Sequence, residues 1–339
     1  MATTIKDVAK MAEVSISTVS RVINDSKPVS PEARRRVLDA IEELGYRPNE
    51  IARSLVTKKT NVMGIIVDDI GSSYVAQIIR GVEEVGRMYN YDLLLLSSYG
   101  GKDSELRFAQ LLMQKQVAGI IIVSEILNIE TLEYLNKTKI PFVYLNKYYN
   151  VLESPTVAID NYDASEKVMK YLIDGGHKKI AYVTQKKDID ITIEKQKIDA
   201  YKKWMSSIKE IPIILSVDGH NISTGYNLGN QVKNLIKKDQ VTALYCCEDE
   251  IALGVINYLY DHHIKVPEDI SIIGYGDTSL ASVYRPALTT IKEPYYDIGA
   301  VSIRKILKQL QGEKLESQTI VLPVQLIIRD SSDIIKNSK

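Results

Sequence analysis

Nine short apolar runs recur between residues 61 and 277, and stretches long enough for helices separate most of them. The runs are NVMGIIVDD (61–69), DLLLLSSY (92–99), GIIIVS (119–124), PFVYLN (141–146), TVAID (156–160), KIAYVTQ (179–185), PIILSVDG (212–219), ALYCCED (243–249) and ISIIGYGD (270–277). They are apolar along their length rather than at alternate positions. Such strands are buried on both faces, which is the condition of a parallel sheet covered by helices. Residues 74–89 read as one covering helix, with Val75, Ile78, Ile79, Val82 and Val85 at helical spacing. Nine strands exceed one ordinary sheet. The pattern therefore predicts an α/β body of two similar lobes, split near residue 160.

The first 60 residues follow a different pattern. Thr4 stands three positions before Asp7, a capping-box start, and Val8, Met11 and Ala12 then share a face. A turn at 13–15 leads to a second helix over 16–24. Its Val19, Val22 and Ile23 point inward, and Ile16, Ser17, Ser20 and Arg21 point outward. Ser30-Pro31 opens a third helix through Val37, Leu38, Ile41 and Leu44 that stops at Gly45. Two short helices joined by a tight turn and closed by a third form the helix-turn-helix plan, whose second helix enters the DNA major groove. A small protein-binding module would show the same helix pattern. On the DNA reading, Thr4, Ser15, Ser17, Thr18, Ser20 and Asn24 supply polar groups to phosphates or bases. Ile16 supplies an apolar contact, and Arg21 a guanidinium that can pair with guanine at two points. Charge is distributed to match. Residues 1–60 hold 11 Lys+Arg against 8 Asp+Glu, while the remainder holds 32 against 35, within a chain of zero net charge.

VSISTVSRVIN (14–24) followed by LGYRPNEIARSL (44–55) closely resembles the lactose-repressor (LacI/GalR) family of bacterial regulators. The resemblance implies an all-α helix-turn-helix head over 1–48 and a hinge helix over 49–60. It implies a two-lobed core of parallel sheets over 61–332 with the periplasmic-binding-protein fold, and a tail over 333–339. The N-lobe would comprise about 61–160 and 290–321, and the C-lobe about 161–289 and 322–332. In the hinge, Asn49, Ala52 and Leu55 would enter the minor groove of operator DNA, with Leu55 wedged between base pairs. A helix of about ten residues is marginal alone in water, so its ordering must be coupled to a partner. An apolar wedge unstacks a base step, and Arg53, Lys58 and Lys59 supply counterion release.

Sugar-responsive members of the family hold their ligand between the lobes with a fixed set of polar residues. Here the matching positions depart: Lys197 replaces an arginine, Glu248 precedes Asp249 in place of an asparagine, and Gly276 takes an aspartate's place with Asp277 one residue later. These four side chains are the candidate effector set, for a sugar or sugar phosphate. Lysine is not an equivalent donor fork to arginine.

PYYDIGAVSIR (294–304) has helical spacing, with Asp297, Val301 and Arg304 on one side. Periodicity alone fits an ordinary amphipathic helix. Together with GRMYNYD (86–92), however, the run resembles the catabolite-control branch of the family. That resemblance implies a protein co-effector, the serine-phosphorylated phosphocarrier HPr. Arg304 would meet the phosphoserine, and Tyr296, Asp297, Val301, Lys308, Met88 and Asp69 would dock the rest. Tyr99 stands where a second acidic residue is expected.

No nucleophile elbow, phosphate-binding loop or metal-ligand spacing is present, so neither catalysis, cofactor nor metal is expected. His177, His220, His262 and His263 read as surface residues in polar turns. The adjacent Cys246 and Cys247 read as buried small apolar side chains in a reducing compartment. The chain shows no export signal and no apolar stretch of membrane-spanning length. The expectation is a cytoplasmic, homodimeric, DNA-binding transcription regulator.

Overall fold

The structure is a computed structural model that describes residues 3–24, 27–46, 60–125, 127–146, 154–185, 192–313 and 318–335. The chain divides into two compact units, Met1–Thr60 and Asn61–Lys339. No described helix is long and apolar enough to cross a membrane.

The first unit contains helices α1 (Ile5–Met11), α2 (Ile16–Asn24) and α3 (Pro31–Glu43). At the start of α1 the Asp7 carboxylate accepts from the Thr4 N–H at 2.9 Å and from its hydroxyl at 2.7 Å. Ser30 caps α3 by accepting from the Ala33 N–H at 3.3 Å, with Pro31 at the first helical position. The core is Val8, Ala9, Ala12, Val19, Val22, Val37 and Ala40. Two expected core residues are displaced from it: Met11 is 42% exposed and Leu38 52% exposed. The buried stripes turn instead toward Ala9 and Ala40, because small side chains let three short helices approach closely. The hinge residues Asn49, Ala52 and Leu55 lie outside the described residues, as do Arg53, Lys58 and Lys59.

The second unit begins with β1 (Val62–Val67), α4 (Ser73–Met88), β2 (Asp92–Ser97), α5 (Lys102–Gln114), β3 (Gly119–Ser124), α6 (Ile129–Lys137) and β4 (Phe142–Asn146). Their strands form one parallel sheet in the order β2-β1-β3-β4. After β5 (Thr156–Ile159) come α7 (Asn161–Asp174), β6 (Ile180–Gln185), α8 (Thr192–Ser207), β7 (Ile213–Val217), α9 (Ile222–Asp239), β8 (Ala243–Cys246), α10 (Asp249–Asp261), β9 (Ser271–Gly276) and α11 (Ser279–Val283). The chain ends with β10 (Thr289–Lys292), α12 (Tyr295–Leu310), β11 (Thr319–Leu322) and β12 (Gln325–Ile327). A second sheet runs β12-β10-β9-β8-β6-β7, with only β12 antiparallel. Between the two sheets, β5 and β11 pair as a small parallel ladder.

All nine runs form strands. β10 adds another that its four residues, TTIK, do not announce. It pairs with β9 over Thr289 to Lys292, so the second sheet runs on to the crossing expected near 290. The cause is long-range: Thr289 and Thr290 are buried and bonded to Arg329 and Asp249. The first lobe is closed by α12 lying against α4. A Cβ on Gly81 would sit 2.0 Å from the Tyr296 carbonyl, and one on Gly299 would sit 2.0 Å from the Ile78 carbonyl. Two glycines thus bring the two helix backbones into contact.

Candidate functional site

In the first unit, Ser15 starts α2: its Oγ accepts from the Thr18 N–H at 3.1 Å and lies 2.7 Å and 2.8 Å from the hydroxyls of Ser17 and Thr18. The outer face then carries Ile16, which is 45% exposed, exposed Ser17 and exposed Arg21, with Ser20 half-buried. Val19 and Val22 anchor the opposite face. This arrangement offers a row of hydroxyls, one apolar side chain and one guanidinium from a rigid helix, as base-edge reading requires. Thr4 is exposed at the start of α1, with its hydroxyl engaged by Asp7. Asn24 closes α2.

In the second unit, α12 buries Tyr295, Ile298, Ile303 and Ile306 and presents Tyr296, Asp297, Arg304 and Lys308, with Val301 half-buried between them. Arg304 makes no hydrogen bond or ion pair with a described residue. Tyr296 donates to Glu84 at 2.7 Å, and Arg80 donates to the same carboxylate at 2.9 Å. Those two donors hold the Glu84 carboxyl below its ordinary range. Met88, at the carboxyl end of α4, is 76% exposed. Asp69 is not part of this grouping within one chain. It precedes the amino end of α4, and a helix of 16 residues spans roughly 24 Å. Its carboxylate accepts from the Gly71 N–H at 2.8 Å. Tyr99 is exposed in a left-handed conformation, φ +50°.

Between the lobes lies a cavity of about 790 Å³. Residues just beyond the carboxyl ends of strands line it: Asp68 after β1, Glu125 after β3, Cys247 after β8. This is where doubly wound sheets bind ligands. Lys197 and Glu248 line it, and buried Asp249 forms its floor. Lys197 is nearly buried. Its ammonium lies 3.6 Å from Glu194, 3.4 Å from the Cys247 carbonyl and 3.8 Å from the centre of the Tyr275 ring. Glu248 pairs with His220 at 3.1 Å. Asp249 accepts from the Thr290 hydroxyl at 2.5 Å and the Thr278 N–H at 2.7 Å, and burial pushes its carboxyl up to about 6. Asp277 departs from expectation. It does not line the cavity, because its carboxylate is held by Arg329 at 2.6 Å.

Three comparisons with known proteins bear on these sites. A family model described as bacterial regulatory proteins of the lacI family matches residues 4–49, and one for a periplasmic binding protein-like domain matches 169–332. The transcriptional regulator RegA of Clostridium saccharobutylicum is 38% identical over 98% of this chain and 100% of its own. The chain belongs to the lacI family of bacterial regulators. Catabolite control protein A of Priestia megaterium is 37% identical to this lacI-family chain, again over 98% of it and 100% of the relative. The lac repressor dimer bound to operator superimposes with a TM-score of 0.86 at 25% identity, covering 98% of this chain and 99% of the repressor's. Catabolite control protein A of Lactococcus lactis superimposes with a TM-score of 0.71 at 26% identity over 80% and 99% of the two chains. The protein is thus a DNA-binding transcriptional regulator of the lacI family, similar to the catabolite-control and RegA regulators, and not an enzyme.

Sequence reasoning missed several residues of this lacI-family core. His177 is buried, not on the surface: its ring nitrogens lie 3.0 Å from the Thr242 hydroxyl and 2.9 Å from the Asp333 carbonyl, and burial lowers its pKa. Lys305, beside Arg304, is buried and donates to the Gln318 carbonyl and, at 3.5 Å, to that of Thr156, tying α12 to the β5–β11 ladder. Glu105 is buried beneath the first sheet beside Tyr144, whose hydroxyl donates to it at 3.3 Å. Nothing in a single amphipathic helix pattern distinguishes such inward polar residues from solvated ones. Cys246 and Cys247 are free and buried, and burial pushes both thiols up.

Proposed function

We propose that this lacI-family chain acts in the cytoplasm as a regulator of carbon catabolite control. It binds pseudo-palindromic operators as a homodimer, and docking of the serine-phosphorylated phosphocarrier HPr on α12 stimulates that binding. The observation that carries the reading is the exposed Arg304 guanidinium, which bonds to no other described residue and is flanked by half-buried Val301 and exposed Tyr296 and Lys308 on one helix face. A phosphoserine brings close to two negative charges and three acceptor oxygens, and an exposed guanidinium beside a lysine is a fitting receiver. The similarity to proteins named catabolite control protein A supports the same partner. In the head, the outer face of α2 reads the major groove. Residues 49–60 act as the hinge, with Leu55 at the central base step. Effector docking favours the core arrangement that lets two hinges pair.

The test is operator titration with and without phosphorylated HPr. Arg304→Ala is expected to lose the phosphoprotein's stimulation while keeping basal operator affinity. Identical stimulated titrations for mutant and parent overturn the docking assignment.

A further inference from the structure

Lys305 follows Arg304 on α12, about 100° further around the helix. Where Arg304 is exposed, Lys305 is 2% exposed. Its ammonium donates to the carbonyl of Gln318 and, at 3.5 Å, to that of Thr156. Those two carbonyls stand at the start of the β5–β11 ladder, where the Thr156 N–H also donates to Gln318 at 2.9 Å. An ammonium is costly to take out of water, and burial lowers the pKa of this one. A leucine would fill the position without that cost. What the lysine adds is a directed tie from α12 to the main chain of two strands.

Both strands lead straight into the second lobe. After β5 the chain crosses at Asp160, whose carboxylate caps α7 by accepting from the Asp163 N–H at 2.9 Å. The next residue, Asn161, is buried and accepts from the Tyr275 hydroxyl of β9 at 2.7 Å. After β11 the chain crosses through Pro323 and buried Val324 to β12 of the second sheet. The remaining crossing, Glu293-Pro294, joins β10 directly to α12. It lies beside the previous one, because Lys292 pairs with Gln325. Helix α12 is therefore continuous with one crossing and bonded through Lys305 to the strands that feed the other two. Any change in the angle between the lobes passes through these three segments.

We infer that Lys305 is a positioning residue that couples the docking face of α12 to the lobe crossings, so that without it the co-effector docks but no longer stimulates operator binding. This role rests on the docking at α12 proposed above.

Two titrations of the full chain separate docking from coupling. One is calorimetry with serine-phosphorylated HPr in the absence of DNA, and the other is operator binding with and without that phosphoprotein. Lys305→Met and Lys305→Gln are compared with the parent at a temperature where Trp204 fluorescence shows each chain folded. Each variant is expected to dock phosphorylated HPr within about twofold of the parent's affinity and to keep basal operator affinity. Stimulation should fall by about fivefold or more. By linkage, operator should also cease to tighten docking. Parental stimulation in the folded variants overturns the coupling role and leaves docking standing. Loss of docking in proportion to stimulation overturns it too, because Lys305 would then only support the helix. A parent that does not bind phosphorylated HPr removes the docking reading, and the coupling role with it. Hydrogen exchange on the parent needs no variant. Phosphorylated HPr should change exchange within residues 156–161 and 319–324, and unchanged exchange in both segments overturns the role.

Discussion

Replacing Gly81 by alanine tests whether contact between the α4 and α12 backbones positions the docking face. In an isolated helix the change should stabilise by about 1 kcal/mol, because glycine is the poorer helix former. Here the new Cβ would lie 2.0 Å from the Tyr296 carbonyl oxygen and 2.9 Å from the Ala300 nitrogen, where ordinary contact begins at 3.4 Å. Both neighbours are main chain, so no side-chain rotation relieves the overlap, and α12 must retreat by about 1.4 Å locally. Overpacking of this kind costs about 3 kcal/mol at the upper end of its range. The clash therefore outweighs the propensity gain, and the net loss is about 2 kcal/mol. Thermal unfolding followed by the single tryptophan, Trp204, which lies in the same unit, should show a midpoint lower by about 5 °C. Because the clash falls on the first turn of α12, phosphoprotein-stimulated operator binding should fall further than stability does. A variant as stable as the parent, or more stable, would refute the claim that these backbones touch through glycine.

Three further perturbations have defined outcomes. Burial raises the Glu105 carboxyl from 4.5 to about 7, so the folded state holds its proton more tightly than the unfolded chain. Stability should therefore fall as pH rises through that window. In urea unfolding across pH, Glu105→Gln should remove that slope and gain on the order of 2 kcal/mol at pH 8, and an unchanged slope would reject the assignment. Lys305→Met strips the donor from two carbonyls of the β5–β11 ladder, so it should cost about 1–3 kcal/mol in thermal melts; a parental melting point would show that the lysine contributes nothing there. Ile16→Ala alters an exposed side chain outside the head's core, so stability should stay within about 0.5 kcal/mol while the ratio of specific to nonspecific DNA binding falls. Equal discrimination by mutant and parent would remove Ile16 from base reading.

The local parts of this protein were legible as sequence because their causes are local. Ser30 caps its helix from three residues away, Pro31 fits only a first turn, and apolar runs such as GIIIVS suit only a strand covered on both sides. The outward stripe of α12 followed from 3.6-residue spacing, and the head's plan from three such spacings in a row. What the sequence could not decide is where distant segments return. Asp277 sits beside the cleft residues in sequence but is taken by Arg329, 52 residues on; His177 meets the main chain of Asp333; Lys305 turns inward on a helix whose next-door Arg304 faces out. Those choices are made when β10, β11 and β12 close the sheets and bring particular carbonyls and carboxylates within hydrogen-bond range. An unpaired buried polar group is costly, so the partner that the closed fold supplies determines what each such side chain does.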